Sequence, residues 1–152
     1  MKKVYVVGNN TKNSLSPAIF SYWFAKYNIN AKCSYLEINP HNFDKEIEKI
    51  LNEAGVCGLN ITIPFKERIL GKLDRIDVHS KKIGAVNFIT KNKLGWFGKN
   101  TDWTGFLNSI KHSKKKISTD SAMVLGYGGA SKAIIYALEF LGFNEIYLHN
   151  RT

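Results

Sequence analysis

At 152 residues, 44% of them hydrophobic, the chain is long enough to bury one sizeable core or two small ones. Its formal charge of +10 invites a nucleic-acid partner, but 19 of the 22 basic residues are lysines, spread along the chain apart from Lys111 and Lys114-Lys115-Lys116. That pattern argues against nucleic acid and for attraction of small polyanions. No run reaches membrane-spanning length, the apolar N-terminal run is too short for a secretory signal, and two cysteines and four scattered histidines show no disulfide or metal-ligand spacing. The expectation is a soluble, cytoplasmic protein with no metal.

In chain order, a strand over 4–7 meets Gly8 and a polar loop that leads into Ser14-Leu-Ser16-Pro17. Ser16 and Pro17 have the character of an N-cap and first helical position for a helix over 17–28. Ser14 and Ser16 also offer two hydroxyls near free helix-terminal N–H groups, a cradle for a carboxylate. A strand over 33–38 and a helix over 42–52 follow. The apolar run 56–63 is a buried strand whose alternation sets Asn60 and Thr62 on one side. Pro64 fits the start of a short helix over 65–70, which presents Lys66 at the mouth of a cleft above the strand end. A lysine at a desolvated strand end can have its pKa tuned for proton transfer; a solvated surface role is the plain alternative.

Runs at 85–90 and 94–98, joined by Lys91-Asn92-Lys93, form an antiparallel hairpin. Gly84-Ala85-Val86-Asn87 and Gly98-Lys99-Asn100-Thr101-Asp102 each set a short polar side chain beside a glycine turn. Asp102 also opens a helix over 102–111, where an N-cap role would account for it. The polar stretch 112–120 is a linker. A strand over 122–126, a helix over 129–141 and a strand over 145–149 then make one βαβ unit. Strands alternating with helices predict a parallel-rich α/β fold. One βαβ cannot cover both faces of its strands, so a C-terminally truncated chain is expected.

Within that unit, Gly126-Tyr127-Gly128-Gly129-Ala130 follows a strand and opens a helix, the context of a dinucleotide loop that brings its backbone to a pyrophosphate. Its sixth position is Ser131 rather than glycine. At the end of the second strand, Asn150, Arg151 and Thr152 stand where NAD proteins carry an acidic residue. An amide, a guanidinium and a hydroxyl suit a 2′-phosphate, which favours NADP.

S-x-S-P, N-x-T-x-P-x-K, G-A-V-N, N-T-D, G-x-G-G-A and N-R-T occur in that order, and together they resemble the shikimate dehydrogenase family over nearly the whole chain. The resemblance implies a mostly parallel, three-layer α/β substrate domain (1–111), a linker (112–120) and the first βαβ of a Rossmann NADP-binding domain (121–152). It implies that Ser14 and Ser16 bind the shikimate carboxylate and that Thr62, Lys66, Asn87 and Asp102 bind the ring hydroxyls. Lys66 would be the acid–base, with Asp102 beside it. Gly126, Tyr127, Gly128, Gly129, Ala130, Asn150, Arg151 and Thr152 would hold NADP. The implied reaction is reversible oxidation of shikimate to 3-dehydroshikimate in chorismate and aromatic amino acid biosynthesis, by a monomer or homodimer. Two alternatives stand beside it: a quinate or dual-specificity enzyme, and an inactive substrate-binding fragment. Tyr127 and Trp103 depart from the family, where a smaller residue and glycine respectively are common. The family's chain also continues further, with a C-terminal helix and a substrate-binding glutamine.

Overall fold

A computed structural model describes residues 1–113 and 117–151. The lysine run at 114–116 in the expected linker, and Thr152 of the expected cofactor set, lie outside the described residues.

The first sheet has six strands: β1 (Lys2–Gly8), β2 (Ala31–Glu37), β3 (Val56–Ile61), β4 (Arg75–Ile76), β5 (Phe88–Asn92) and β6 (Gly95–Lys99), in the order β2-β1-β3-β5-β6-β4. β1 pairs in parallel with β2 and β3, β4 with β6, while β5 runs antiparallel to both neighbours. The connections are α1 (Ser16–Lys26), α2 (Phe43–Asn52) and α3 (Val78–Ile83), and α4 (Asp102–His112) leaves the sheet. A second, two-stranded parallel sheet joins β7 (Ser121–Leu125) to β8 (Glu145–His149) across α5 (Gly129–Phe140). The architecture is thus mixed α/β with mostly parallel pairing, as the strand–helix alternation requires.

Burial explains how the sheet is held. The spacing Phe43, Ile47, Ile50, Leu51 puts one face of α2 on the strands, against Leu59, Ile61 and Ile89. Phe65, fully buried just beyond β3, stacks on Phe43 with ring centroids 4.3 Å apart. A second cluster brings Trp103 and Leu107 of α4 onto Ala133 and Ala137 of α5, both pairs at i, i+4, with Ile83 and Ala85 beneath. The alanines let the two helices approach closely.

Several local expectations are corrected. No α-helix covers 65–70: Phe65 N–H bonds the Thr62 carbonyl at 3.0 Å, the Ile63–Pro64 bond is cis, and a short 3-10 segment follows at Arg68–Lys72. Pro64 lies in one turn and Lys66 in the next, neither in a helix. The segment is anchored by Phe65 and Ile69 and is too short to sustain successive i→i−4 bonds. The hairpin is present, but its first strand begins at Phe88: Asn87 still bonds Ile61 N–H at 2.8 Å and the Lys99 carbonyl at 3.1 Å, while Val86 N–H leaves the ladder for the Lys66 carbonyl at 2.8 Å. β4 and α3 were not anticipated. α3 is capped by Asp77, which accepts from His79 and Ser80 N–H, and closes on Gly84 at φ 71°. Six helical residues are too few for a periodic signal.

Gly98 is tightly packed within the hairpin: a methyl group there would lie 2.5 Å from Leu73 Cδ1 and 3.1 Å from both Val86 methyls. Gly98→Ala is expected to lower stability by about 1–3 kcal/mol, the range for overpacking a filled core. Urea unfolding followed by tryptophan fluorescence would register it; an unchanged midpoint would contradict this packing.

Candidate active site

The carboxyl ends of β1 and β3 lie side by side, and the loops that follow them carry the first group of polar residues. Thr62 N–H continues the pairing to the Val7 carbonyl at 2.8 Å, and Asn9 N–H bonds the Ile63 carbonyl at 3.0 Å, so the two loops travel together. Between them lies a hollow of about 450 Å³ lined by Asn9, Asn10, Asn13, Ser14, Thr62 and Ile63. Ser16 is the first residue of α1 and makes no cap: the flanking residue is Leu15, with no side-chain capping bond. Its hydroxyl instead receives Asn60 Nδ2–H at 3.2 Å and lies 3.1 Å from Ser14 Oγ, which itself accepts Ser16 N–H at 3.2 Å. The cap expected of Ser16 is thus replaced by a Ser14–Ser16–Asn60 cluster. The loop is tied down by Glu37, which accepts the Thr11 and Lys12 N–H groups at 2.9 and 3.2 Å.

The second group centres on Lys66. Its Nζ lies 2.7 Å from Asp102 Oδ2, and the two side chains are only 14% and 28% exposed. Such shielding removes the solvated-surface alternative for Lys66. Asn87, almost wholly buried, donates from Nδ2 to Asp102 Oδ1 at 2.8 Å and to Thr101 Oγ1 at 2.9 Å, and accepts Thr101 N–H at 2.7 Å. Asp102 is not the cap of α4. Asn100 does that work, accepting Asp102 N–H at 2.9 Å while donating to the Ala85 carbonyl at 3.0 Å. With the cap supplied from Asn100, the Asp102 carboxylate is left for the lysine. Asn100 and Asn60 were the residues that sequence reasoning passed over as site components; the cap preference of asparagine two positions before Asp102 was the available signal.

The third group faces Lys66. Ile63, Pro64, Lys66 and Glu67 form one wall of a cleft of about 380 Å³, and Gly128, Gly129, Ala130 and Ser131 form the other. α5 opens at Gly129 behind Gly128 with no side-chain cap, so its first N–H groups are not taken up by a capping side chain. Gly126, at φ 98°, needs glycine for the turn, and its N–H bonds the His149 carbonyl at 2.7 Å. An uncapped helix start behind a glycine turn fits a dinucleotide pyrophosphate. Tyr127 is exposed on this loop, and Asn150 and Arg151 follow β8 on the surface.

A family model described as the shikimate dehydrogenase substrate binding domain matches residues 6–89. A relative from Dictyoglomus thermophilum named shikimate dehydrogenase (NADP(+)) is 42% identical over 152 residues, covering 99% of this chain and 54% of its own length. The crystal structure of shikimate dehydrogenase 1 from Peptoclostridium difficile superposes with a TM-score of 0.92 at 34% identity, over 100% of this chain and 56% of that one. The Thermus thermophilus enzyme in complex with NADP(H) and shikimate gives a TM-score of 0.85 at 29% identity, covering 100% and 57%. The chain spans about half the length of the curated relatives it matches.

The Glu37 tether has a pH signature. Hydrogen bonds from Thr11 N–H, then from Lys12 N–H, together with the Lys12 ammonium, hold its carboxyl below the ordinary glutamate value. A depressed value in the fold means the tether is intact above the ordinary range and is lost as pH falls through the lowered value. The Thr11 and Lys12 amide resonances should therefore shift together on acidification, with a common midpoint below that of an unperturbed glutamate, and Glu37→Gln should abolish the transition. A midpoint at or above the ordinary value would refute the tether.

Proposed function

This chain belongs to the shikimate dehydrogenase substrate-binding domain family, and from that premise we propose that it supplies the substrate cradle and the first cofactor-binding elements of an NADP-linked shikimate dehydrogenase. In this reading, residues 1–111 bind substrate, 112–120 connect, and 121–152 begin the cofactor domain. The single observation that carries it is the shielded Lys66–Asp102–Asn87 network set across a narrow cleft from an uncapped glycine-rich helix start.

The proposed division of labour follows from the chemistry of each group. Ser14 and Ser16 offer hydroxyl donors to the substrate carboxylate, with Asn60 fixing Ser16. Thr62, Asn87 and Asp102 would take the ring hydroxyls, and Lys66 would serve the oxygen at the reacting carbon. The cofactor residues are Gly126, Tyr127, Gly128, Gly129, Ala130, Asn150 and Arg151, with Thr152 adjoining them. NADPH held there would supply hydride chemistry for reduction of the 3-keto group, and NADP the reverse in oxidation. In the reductive direction Lys66 donates a proton from Nζ to the ketone oxygen; in the oxidative direction the neutral amine removes it. Asp102 keeps the ammonium oriented, and Asn87 keeps Asp102 in place. Positioned acid–base groups of this kind contribute about 10²–10⁴-fold.

Lys66→Ala, assayed in the chain extended to the length of its relatives, is expected to lower kcat for shikimate-dependent NADP reduction by about 10²-fold or more, with a much smaller change in shikimate KM. A rise in KM at unchanged kcat would assign Lys66 to binding alone and defeat the acid–base role.

A further inference from the structure

Two residues next to the chemically important positions pair across the cleft. Glu67 follows Lys66, and Lys132 lies three positions beyond Gly129; Lys132 Nζ is 2.5 Å from Glu67 Oε2. The contact joins the turn after β3 to the first turn of α5, 65 residues apart in sequence. Lys132 also stands over the Tyr127 ring, 5.1 Å from its centroid, so the same ammonium gathers in the glycine loop.

Close to this pair, the side chain of Lys66 packs directly on the backbone of Gly129. A methyl group at Gly129 would lie 2.8 Å from Lys66 Cβ, 3.4 Å from Lys66 Cδ and 3.3 Å from Ala85 Cβ. Gly129 therefore serves packing against the lysine itself, apart from any approach to a pyrophosphate. From behind, the Lys66 carbonyl is held by Val86 N–H at 2.8 Å. The apolar seam of Trp103, Leu107, Ala133 and Ala137 secures the body of α5 but leaves its N-terminal end to the contacts around Lys66.

We propose that the Glu67–Lys132 ion pair is a positioning strap that presses the N-terminal end of α5, through Gly129, onto the flank of Lys66, so that the glycine loop and the lysine hold a fixed spacing. The proposal rests on the reading of Lys66 as the proton-transfer group. Neither strap residue touches the reacting atoms. Exposed pairs contribute little to global stability, so the strap acts on local geometry, and its influence is salt-sensitive.

The test is the nuclear Overhauser contact between Lys66 Hβ and Gly129 Hα, measured in this chain together with Glu67→Gln, Lys132→Met and Lys132→Arg. The contact should weaken in Glu67→Gln and Lys132→Met, persist in Lys132→Arg, and fade in the unmodified protein as salt is raised to 1 M. Equal contact in Glu67→Gln and Lys132→Met would overturn the strap, as would indifference to salt. In the chain extended to its relatives' length, the two neutralising variants should lose about three- to fivefold in kcat, with shikimate KM unchanged and Lys132→Arg retaining activity. Absence of any shikimate-linked turnover in the unmodified extended protein would retire the reading of Lys66 alone, since the Overhauser contact decides the strap independently of catalysis.

Discussion

The side-chain amide of Asn87 carries the β5–β6 pairing beyond its last rung and ties it to the opening of α4. Its Nδ2 reaches Thr101 and Asp102, its Oδ1 receives the Thr101 N–H, and its own carbonyl and N–H bond Ile61 and Lys99. A lysine and a carboxylate so shielded from water are tolerable only as a pair with their remaining valences met. Asn87 meets one of them on Asp102, and Asp102 in turn meets Lys66. The geometry of the cleft depends on this chain of donors, because the turn carrying Lys66 lacks the regular hydrogen bonding of an α-helix.

Helix capping is distributed so that the side chains of the proposed site keep other partners. Asn100 caps α4, which leaves Asp102 to the lysine; α1 starts without a side-chain cap, which leaves Ser16 to Asn60; α5 starts behind a bare glycine. In each case the residue that a capping preference would assign to backbone duty bonds another side chain instead, or is absent. Ionic contacts follow the same economy. Most pairs, such as Lys49–Glu46 and Lys72–Glu48, lie on the exposed surface, whereas Lys66–Asp102 is the shielded one of those described.

Much of this was legible beforehand, for identifiable reasons. Strands such as β1, β3 and β7 were read from apolar runs, and α2 from its helical apolar spacing, because burial imposes those patterns on sequence. The polar residues at 14, 16, 62, 66, 87 and 102 drew notice through their places beside glycine and proline turns. What escaped was set by tertiary contact. The 65–70 segment carries helical composition, yet the burial of Phe65 against Phe43 and of Ile69 holds it as a turn and a 3-10 segment. α3 and β4 are too short for periodicity to register. The Asn60 partner of Ser16 was hidden because the two lie 44 residues apart, and the place of Asp102 beside Lys66, 36 residues away, followed from the family resemblance and not from spacing.

The order of residues in the larger core has a consequence for biosynthesis. That cluster draws only on positions from Val7 to Trp96, and the network around Lys66 closes with Asp102. Everything required to bury the first sheet has therefore been synthesised before the glycine loop is translated. Domains that fold in succession from the N-terminus escape much of the risk of mispairing. Here the surface on which α5 docks, formed by Ile83, Ala85, Trp103 and Leu107, would already stand as a template when that helix emerges.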